Sequence, residues 1–391
     1  MLNVFSLFSG IGAFEKALVN LNIEHKVIAY CDIDKYASKA YSAIHNIPEI
    51  ENFWDVTEVD ILDIEDRVDI ITYGFPCQDI SNSGTQKGFF DENGNRTRSG
   101  LFFEALRIID DYNPKFAIAE NVKALTSKKF FNEFRIVLES LEEIGYNNYY
   151  AVLNAKDFGI PQNRERVFIV SIRKDIDVGF TFPEGFPLEL RLKDLLEDKV
   201  DEKFYLSEKM INYLFDITEK NKARNNGNVY KASDLNGCAK TITTREGSRV
   251  KDNFIEEPIS IREATKKGYA EAYAGDSINL EQINSKTRRG RVGKGVAQTL
   301  TTSCNQAVVV RENVDGLEFV RIRKLTPTEC YKLMGFTADD CKKASDAGIS
   351  NTQLYKQAGN SIVVNVLEAI FTELGKNYDE FRPGLRNFER E

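Results

Sequence analysis

The feature that most constrains the fold is a rhythm in residues 1 to about 180, where short apolar runs alternate with amphipathic stretches. LNVFSLF is followed by Ile11 to Asn20, and VIAYCD by Ile33 to Ile44; VDIITYG, Gly100 to Tyr112 and KFAIAEN continue the pattern. Strands separated by helices can pair side by side only if each helix carries the chain back across the sheet. The rhythm therefore predicts an α/β fold with a parallel, doubly wound sheet. Ligands of such sheets sit at the carboxyl ends of the strands, so functional side chains are expected there.

From about 185 to 320 the rhythm is lost. Gly, Asn and Thr become frequent, and turns such as NNGN and EGSR interrupt short strands, which predicts a second, smaller, mostly β or irregular domain. Within it CAKTITT (238–244) is similar to VAQTLTT (296–302), which two Thr-rich strands explain better than a duplication does. Helical patterning returns at RKLTPTECYKLMGF (323–336), with Thr326 as N-cap and Pro327 at the first helical position. The expected organisation is a large domain of residues 1–185 completed by 321–391, and a small domain of 186–320.

Composition narrows the chemistry. The six cysteines are far apart without C-x-x-C pairs, so reduced thiols are expected and no metal site is. With only His25 and His45, a Ser-His triad has little material. No apolar stretch approaches the roughly 18 residues of a membrane span, and no basic leader precedes the first apolar residues; a cytoplasmic protein is expected.

The net charge of −8 is unevenly spread. Residues 221–310 hold 15 Lys and Arg against 9 Asp and Glu, so this stretch is +6 and the remainder −14. Its sharpest cluster is KTRRGRVGKG, with Arg288, Arg289 and Arg291, which reads either as a solvated loop or as a phosphate-contacting element.

In FSLFSGIGAFEKAL a strand enters F-S-G-I-G and then a helix, with Gly10 and Gly12 where the backbone turns tightly. Such a turn aims helix N-terminal amides at a ligand, although a purely structural turn has the same pattern. Twenty residues after Gly12, Asp32 ends the next strand, where a carboxylate can accept from both ribose hydroxyls. Glu15 replaces the third glycine of a dinucleotide fingerprint, so an adenosyl cofactor without a pyrophosphate fits better than NAD.

Cys77 follows a strand in GFPCQDIS, at the same sheet edge, with Pro76 fixing the backbone before it. A thiol of pKa about 8.5 is mostly protonated at neutral pH, so it needs a modest depression or an acid acting on its substrate. Glu120, at the end of KFAIAEN, puts a carboxyl group at that edge.

These motifs resemble those of the DNA (cytosine-5) methyltransferases, and the resemblance spans nearly everything outside the small domain. FSGIG resembles the family's cofactor loop, GFPCQ its nucleophile motif, ENV its acidic motif, QNRERVF its paired-arginine motif and QAGNSIVVNV its C-terminal cofactor motif, in the family's order. RKLTPTEC resembles the block before the last.

The resemblance implies a Rossmann-like S-adenosylmethionine-dependent domain, a target-recognition domain at 186–320, and double-stranded DNA as partner. It implies that Cys77 attacks carbon 6 of a flipped cytosine while Glu120 holds and protonates the ring nitrogen, with Arg164 and Arg166 lining the base pocket. For S-adenosylmethionine, whose product is S-adenosylhomocysteine, it implicates Phe8, Gly10, Gly12, Asp32, Ile33, Asp55, Pro76, Leu101, Asn360 and Ser361. Ile33 stands where related enzymes often have a larger aromatic, and Ile80 where phenylalanine is common.

On the DNA side, Ser83 lies in the Gly-containing stretch 81–100, which suits a loop closing over the base, and Thr299-Leu300 matches the family's Thr-Leu pair. Thr241-Ile242 is a second candidate pair, which raises two specificities as an alternative to one. A stand-alone bacterial or phage modification enzyme is expected, monomeric, with any cognate restriction endonuclease acting separately. The rival readings are an RNA cytosine methyltransferase of the transfer-RNA type, a non-catalytic homologue and a dinucleotide-dependent oxidoreductase. About 135 residues in the recognition region favour DNA over RNA, and Cys77 with Glu120 favour an enzyme.

Overall fold

The computed structural model describes residues 1–77, 79–80, 88–273, 276–279, 290–293, 306–308 and 321–384. The chain begins with β1 (Leu2–Leu7), α1 (Ala13–Asn20), β2 (His25–Cys31), α2 (Lys35–His45), β3 (Ile70–Tyr73) and α3 (Phe102–Tyr112). It continues with β4 (Phe116–Val122), α4 (Phe131–Glu143), β5 (Tyr146–Asn154), β6 (Gln162–Asn163) and β7 (Glu165–Arg173). Six strands form one sheet in the order β2-β1-β3-β4-β7-β5.

The first four strands run parallel, as their spacing predicts. β7 departs from the expected all-parallel sheet: it is antiparallel to both β4 and β5. Only ten residues separate Asn154 from Glu165, and a parallel crossover takes about a dozen or more. The chain therefore turns straight back.

The strands are apolar because both faces are covered; every residue of β3 is buried. Phe5, Ile71, Phe75, Phe102, Leu141 and Val167 share one core with Ile80, which is fully buried, so isoleucine fills the position where phenylalanine is common. Helix starts follow local chemistry. Asp34 caps α2 by accepting from the N–H groups of Tyr36 and Ala37, and a short 3-10 turn, Ser99–Leu101, precedes α3.

The chain divides into two compact units. The first comprises Met1–Leu196, Asn236–Arg245 and the chain from Pro327; the second comprises Glu197–Leu235 and Glu246–Thr326. The expected small domain of 186–320 is thus not one piece. Residues 186–196 and 236–245 fold with the first unit, because β8 (Ala239–Lys240) pairs with β6, and residues 321–326 fold with the second.

In the second unit, α5 (Glu208–Ala223) and β9 (Phe254–Glu257) join β10 (Ile259–Arg262), β11 (Tyr269–Ala272), β12 (Ser277–Asn279), β13 (Val292–Gly293), β14 (Gln306–Val308) and β15 (Arg321–Lys324). The strands make small antiparallel sheets around a modest core that includes Leu214, Tyr230, Phe254 and Ile278.

The first unit is completed by α6 (Pro327–Lys332), α7 (Ala338–Asp346), α8 (Asn351–Asn360) and α9 (Val364–Asn377). Phe14 of α1 packs on Phe371 of α9, and Lys16 pairs with Asp340 of α7 at 2.8 Å. Among the described residues no helix is long and apolar enough to cross a membrane.

Candidate active site

Because β1 to β4 are parallel, Phe8 to Gly12, Asp32, Cys77 and Glu120 all lie at or just beyond one edge of the sheet. The turn after β1 places Phe8, Gly10 and Gly12 at φ of 52°, 58° and 76°. Gly10 N–H donates to Asp32 Oδ2 at 2.8 Å, and Asp34 N–H donates to Oδ1 at 2.8 Å. Burial pushes the Asp32 carboxyl up, and those two N–H groups pull it back.

The two glycines have different reasons to be glycine. A Cβ on Gly10 would meet nothing within 4 Å, which leaves an open cradle beside Asp32. A Cβ on Gly12 would fall 2.1 Å from His45 Nε2, so its missing side chain makes room for a ring. Burial holds His45 below its ordinary value, as befits a packed neutral imidazole. Gly12→Ala is therefore expected to cost about 2–4 kcal/mol, read as a fall in melting temperature. Gly10→Ala, strained only by its φ, should cost roughly 1 kcal/mol yet weaken cofactor binding measured by calorimetry.

Cys77 lies four residues beyond β3, in a loop held by the side chain of Asn121, which donates from Nδ2 to Phe75 O at 3.1 Å. The turn continues with Ile80 N–H donating to Cys77 O at 3.1 Å. Of the two alternatives for activating the thiol, a depressed pKa is not the one that its surroundings favour. Burial and the charge of Glu120 push it up, against the weaker pull of Arg166 and Arg164. The other alternative is an acid acting on the substrate.

Glu120 is positioned to be that acid. On the antiparallel β4/β7 pair Arg166 stands opposite Val122, a diagonal neighbour of Glu120 on the same face. Its Nε lies 3.0 Å from Glu120 Oε1 with both side chains largely buried. The contact is an ion pair that holds the carboxyl beside the guanidinium. Burial pushes the carboxyl up, which favours its protonated form, while Arg166 and Arg164 oppose this.

Arg164 and Arg166, expected together at the base pocket, make different contacts, although the charges of both act on Cys77 and Glu120. Arg164 is buried, and its guanidinium donates to the carbonyls of Ile242 at 3.3 Å, Gly359 at 3.1 Å and Ser361 at 2.7 Å. Burial and the charge of Arg166 lower it to about 9, still charged at neutral pH. Its work is to hold loops. The neighbouring Gln162 side chain donates to Leu333 O at 2.6 Å and accepts from Ile242 N–H at 2.9 Å. A Cβ on Gly359 would fall 2.5 Å from the backbone of Thr243 and Thr244. Thr241-Ile242, a candidate DNA-reading pair, is thus built into the first unit beside this loop.

Asn360, exposed, and Ser361, buried, end α8. α8 is tied to the start of α2 by Lys356 with Asp34 and by Gln357 Nε2 with Tyr36 O at 2.8 Å. Ile33 is 74% exposed. The Asp55 carboxylate accepts from Thr57 N–H and Oγ1 at 3.0 and 2.8 Å, Pro76 is half-buried, and Leu101 packs against the main core.

The DNA-side expectations fare differently. Ser83, Arg288, Arg289, Thr299 and Leu300 lie outside the described residues. Arg291 is 1% exposed, which corrects its expected phosphate contact: its N–H and that of Val292 are held by the buried Glu263 carboxylate at 2.5 and 3.2 Å.

Two residues carry the site without having been singled out. Asn121 was legible only as the middle of ENV. Asn52 is buried and clamps Asp32, accepting from its N–H and donating to its carbonyl, both at 3.0 Å. An Asn shortly before an Asp in NFWD is the only signal for it.

The family model described as C-5 cytosine-specific DNA methylase matches residues 2–376. The chain is 35% identical to orphan methyltransferase M.SPRI of Bacillus phage SPR, over 96% of this chain and 98% of that protein. It is 33% identical to type II methyltransferase M2.ScrFI of Lactococcus lactis subsp. cremoris, over 96% and 100%. Among solved structures its fold is similar to that of the Entamoeba histolytica methyltransferase EhMeth, with a TM-score of 0.66, 19% identity and coverage of 96% and 98%. The S. pombe Dnmt2 methyltransferase follows at 0.63 and 20%, over 96% and 99%.

Proposed function

Because the chain belongs to the C-5 cytosine-specific DNA methylase family and is a DNA (cytosine-5) methyltransferase, we propose that Cys77 is its nucleophile and Glu120 its acid. The observation that carries this reading is one sheet edge holding a thiol, a buried carboxyl and Arg166 beside it. The family implies S-adenosylmethionine as cofactor, and the open cradle at Gly10 beside Asp32 fits an adenosyl group. Phe8, Gly10, Asp32, Ile33, Asp55, Pro76, Leu101, Asn360 and Ser361 would hold it, with Gly12 shaping the turn. When bound, it supplies an electrophilic methyl group on a sulfonium.

The substrate cytosine must leave the duplex, at a cost of a few kcal/mol that protein contacts offset. Cys77 gives up its thiol proton to solvent and adds to carbon 6 as thiolate while Glu120 delivers its proton to the ring nitrogen, so the electron pair released into the ring makes carbon 5 nucleophilic. Arg166 orients the Glu120 carboxyl. After methylation the ring nitrogen returns its proton to Glu120, a water acting as base takes the proton on carbon 5, and the carbon–sulfur bond breaks to release Cys77 as thiolate, which regains its proton from solvent. Arg164 stays outside these steps and keeps Gly359 and Ser361 in place.

The second unit, Glu197–Leu235 with Glu246–Thr326, is the target-recognition unit in this reading, and its basic stretch meets DNA phosphates. The enzyme works as a monomer in the bacterial cytoplasm, and any restriction endonuclease is a separate protein. Bisulfite sequencing of DNA from cells expressing the chain tests activity and target together: protected cytosines in one sequence context are expected. Parallel assays on duplex DNA and transfer RNA complete the test, and methyl label in RNA alone overturns the reading.

A further inference from the structure

The chain's only tryptophan, Trp54, sits in a conformation that a bulky side chain avoids. Its φ is +59°, in the left-handed region where glycine is at ease and an indole is not. Strain of this kind persists where the surroundings impose it, and it clusters at ligand sites. The imposing contacts are visible. Trp54 N–H donates to Asn52 Oδ1 at 2.9 Å, and the Cys31 thiol donates to Trp54 O at 3.2 Å.

These contacts also fix where Trp54 is. Asn52 pairs with Tyr30 as an extra rung beside β2, and Phe53 N–H donates to Tyr30 O at 2.9 Å. The same Asn52 side-chain oxygen accepts from Asp32 N–H at 3.0 Å. One buried amide therefore holds Trp54 and Asp32 together at the carboxyl end of β2. Trp54 nevertheless remains 40% exposed, and Ile33, next to Asp32, is 74% exposed. An exposed apolar ring and an exposed apolar branched chain thus belong to the two segments that Asn52 ties together at Asp32.

We propose that Trp54 is an aromatic wall of the adenine pocket, facing Ile33 across the bound nucleoside. Ile33 offers no π-face, and the ring that an adenine stacks on comes from the Asn52–Asp55 segment instead. This proposal rests on the adenosyl-cofactor reading of the site.

The test uses the full-length protein and S-adenosylhomocysteine. Calorimetry on the native chain comes first; absence of binding there overturns the cofactor reading itself. Given binding, emission excited at the indole edge reports Trp54 alone, because no other tryptophan contributes. A saturating change with the calorimetric midpoint is expected, and unchanged emission overturns the proposal. Trp54→Phe and Trp54→Leu carry similar backbone strain, so their difference reads the ring. The Leu variant should bind about 10-fold more weakly than the Phe variant, and equal affinities overturn the proposal. Trp54→Gly should bind weakly too while melting no lower than the native protein, since glycine relieves the strain; native affinity in that variant overturns the proposal.

Discussion

Replacing Cys77 with alanine is expected to lower methyl transfer by about 10⁴-fold or more while leaving cofactor affinity essentially unchanged. The size of the effect follows from the chemistry. A cytosine ring is a poor carbon nucleophile until something adds at carbon 6, and only Cys77 stands as a thiol in the loop after β3. Alanine removes the sulfur without disturbing the fold around it, because Asn121 holds the loop through Phe75 O and Ile80 buries its other side. Single-turnover incorporation of labelled methyl into duplex DNA measures the loss, and calorimetry measures the retained cofactor. Near-native turnover would sink the covalent mechanism.

Glu120→Gln should slow transfer by about 10²–10⁴-fold, the usual contribution of a positioned acid. Glutamine keeps the shape and can still donate a hydrogen bond to the ring, but it cannot give up a proton. The same change has an opposite effect on the nucleophile. After burial, the charge of Glu120 is the largest influence raising the Cys77 thiol. Removing that charge lowers the thiol's pKa, so at neutral pH more thiolate is present and alkylation of Cys77 by iodoacetamide should speed up. Mass spectrometry of the peptide containing Cys77 follows the alkylation, and tritium transfer follows the reaction. A variant whose thiol is more reactive and whose methyl transfer is nevertheless slower isolates the acid role. Unchanged transfer would remove Glu120 from the mechanism.

Much of this was readable in the chain. Asp32, Cys77 and Glu120 are strand-end residues, and the apolar runs before them are unambiguous because a sheet covered on both faces leaves little choice of side chain. The paired arginines were readable as a motif, but not their division of labour. The partners of Arg164 are carbonyls at positions 242, 359 and 361, and a backbone carbonyl looks the same at every position of a sequence. Gly12 was readable as a turn, whereas its reason, the His45 ring, lies 33 residues downstream on another element. Nothing in the sequence marked Trp54, since φ leaves no mark in composition. β7 reversed direction for want of enough chain to cross the sheet, a matter of counting residues rather than of side-chain type. Arg291 belonged to the most basic stretch, yet which residue of such a stretch is buried depends on how its backbone is held, here by the Glu263 carboxylate.

The passage of Asn236–Arg245 through the catalytic unit has a bearing on how specificity is inherited. A gene-level swap of residues 186–320 as one block would look conservative. It would also remove the segment whose carbonyl at Ile242 Arg164 holds and whose Thr243 and Thr244 backbone closes over Gly359. The hybrid would fail for mechanical reasons before its new target was ever tested. A cassette that preserves activity has four ends, and lineages that trade sequence preference by recombination must cut on both sides of this short strap.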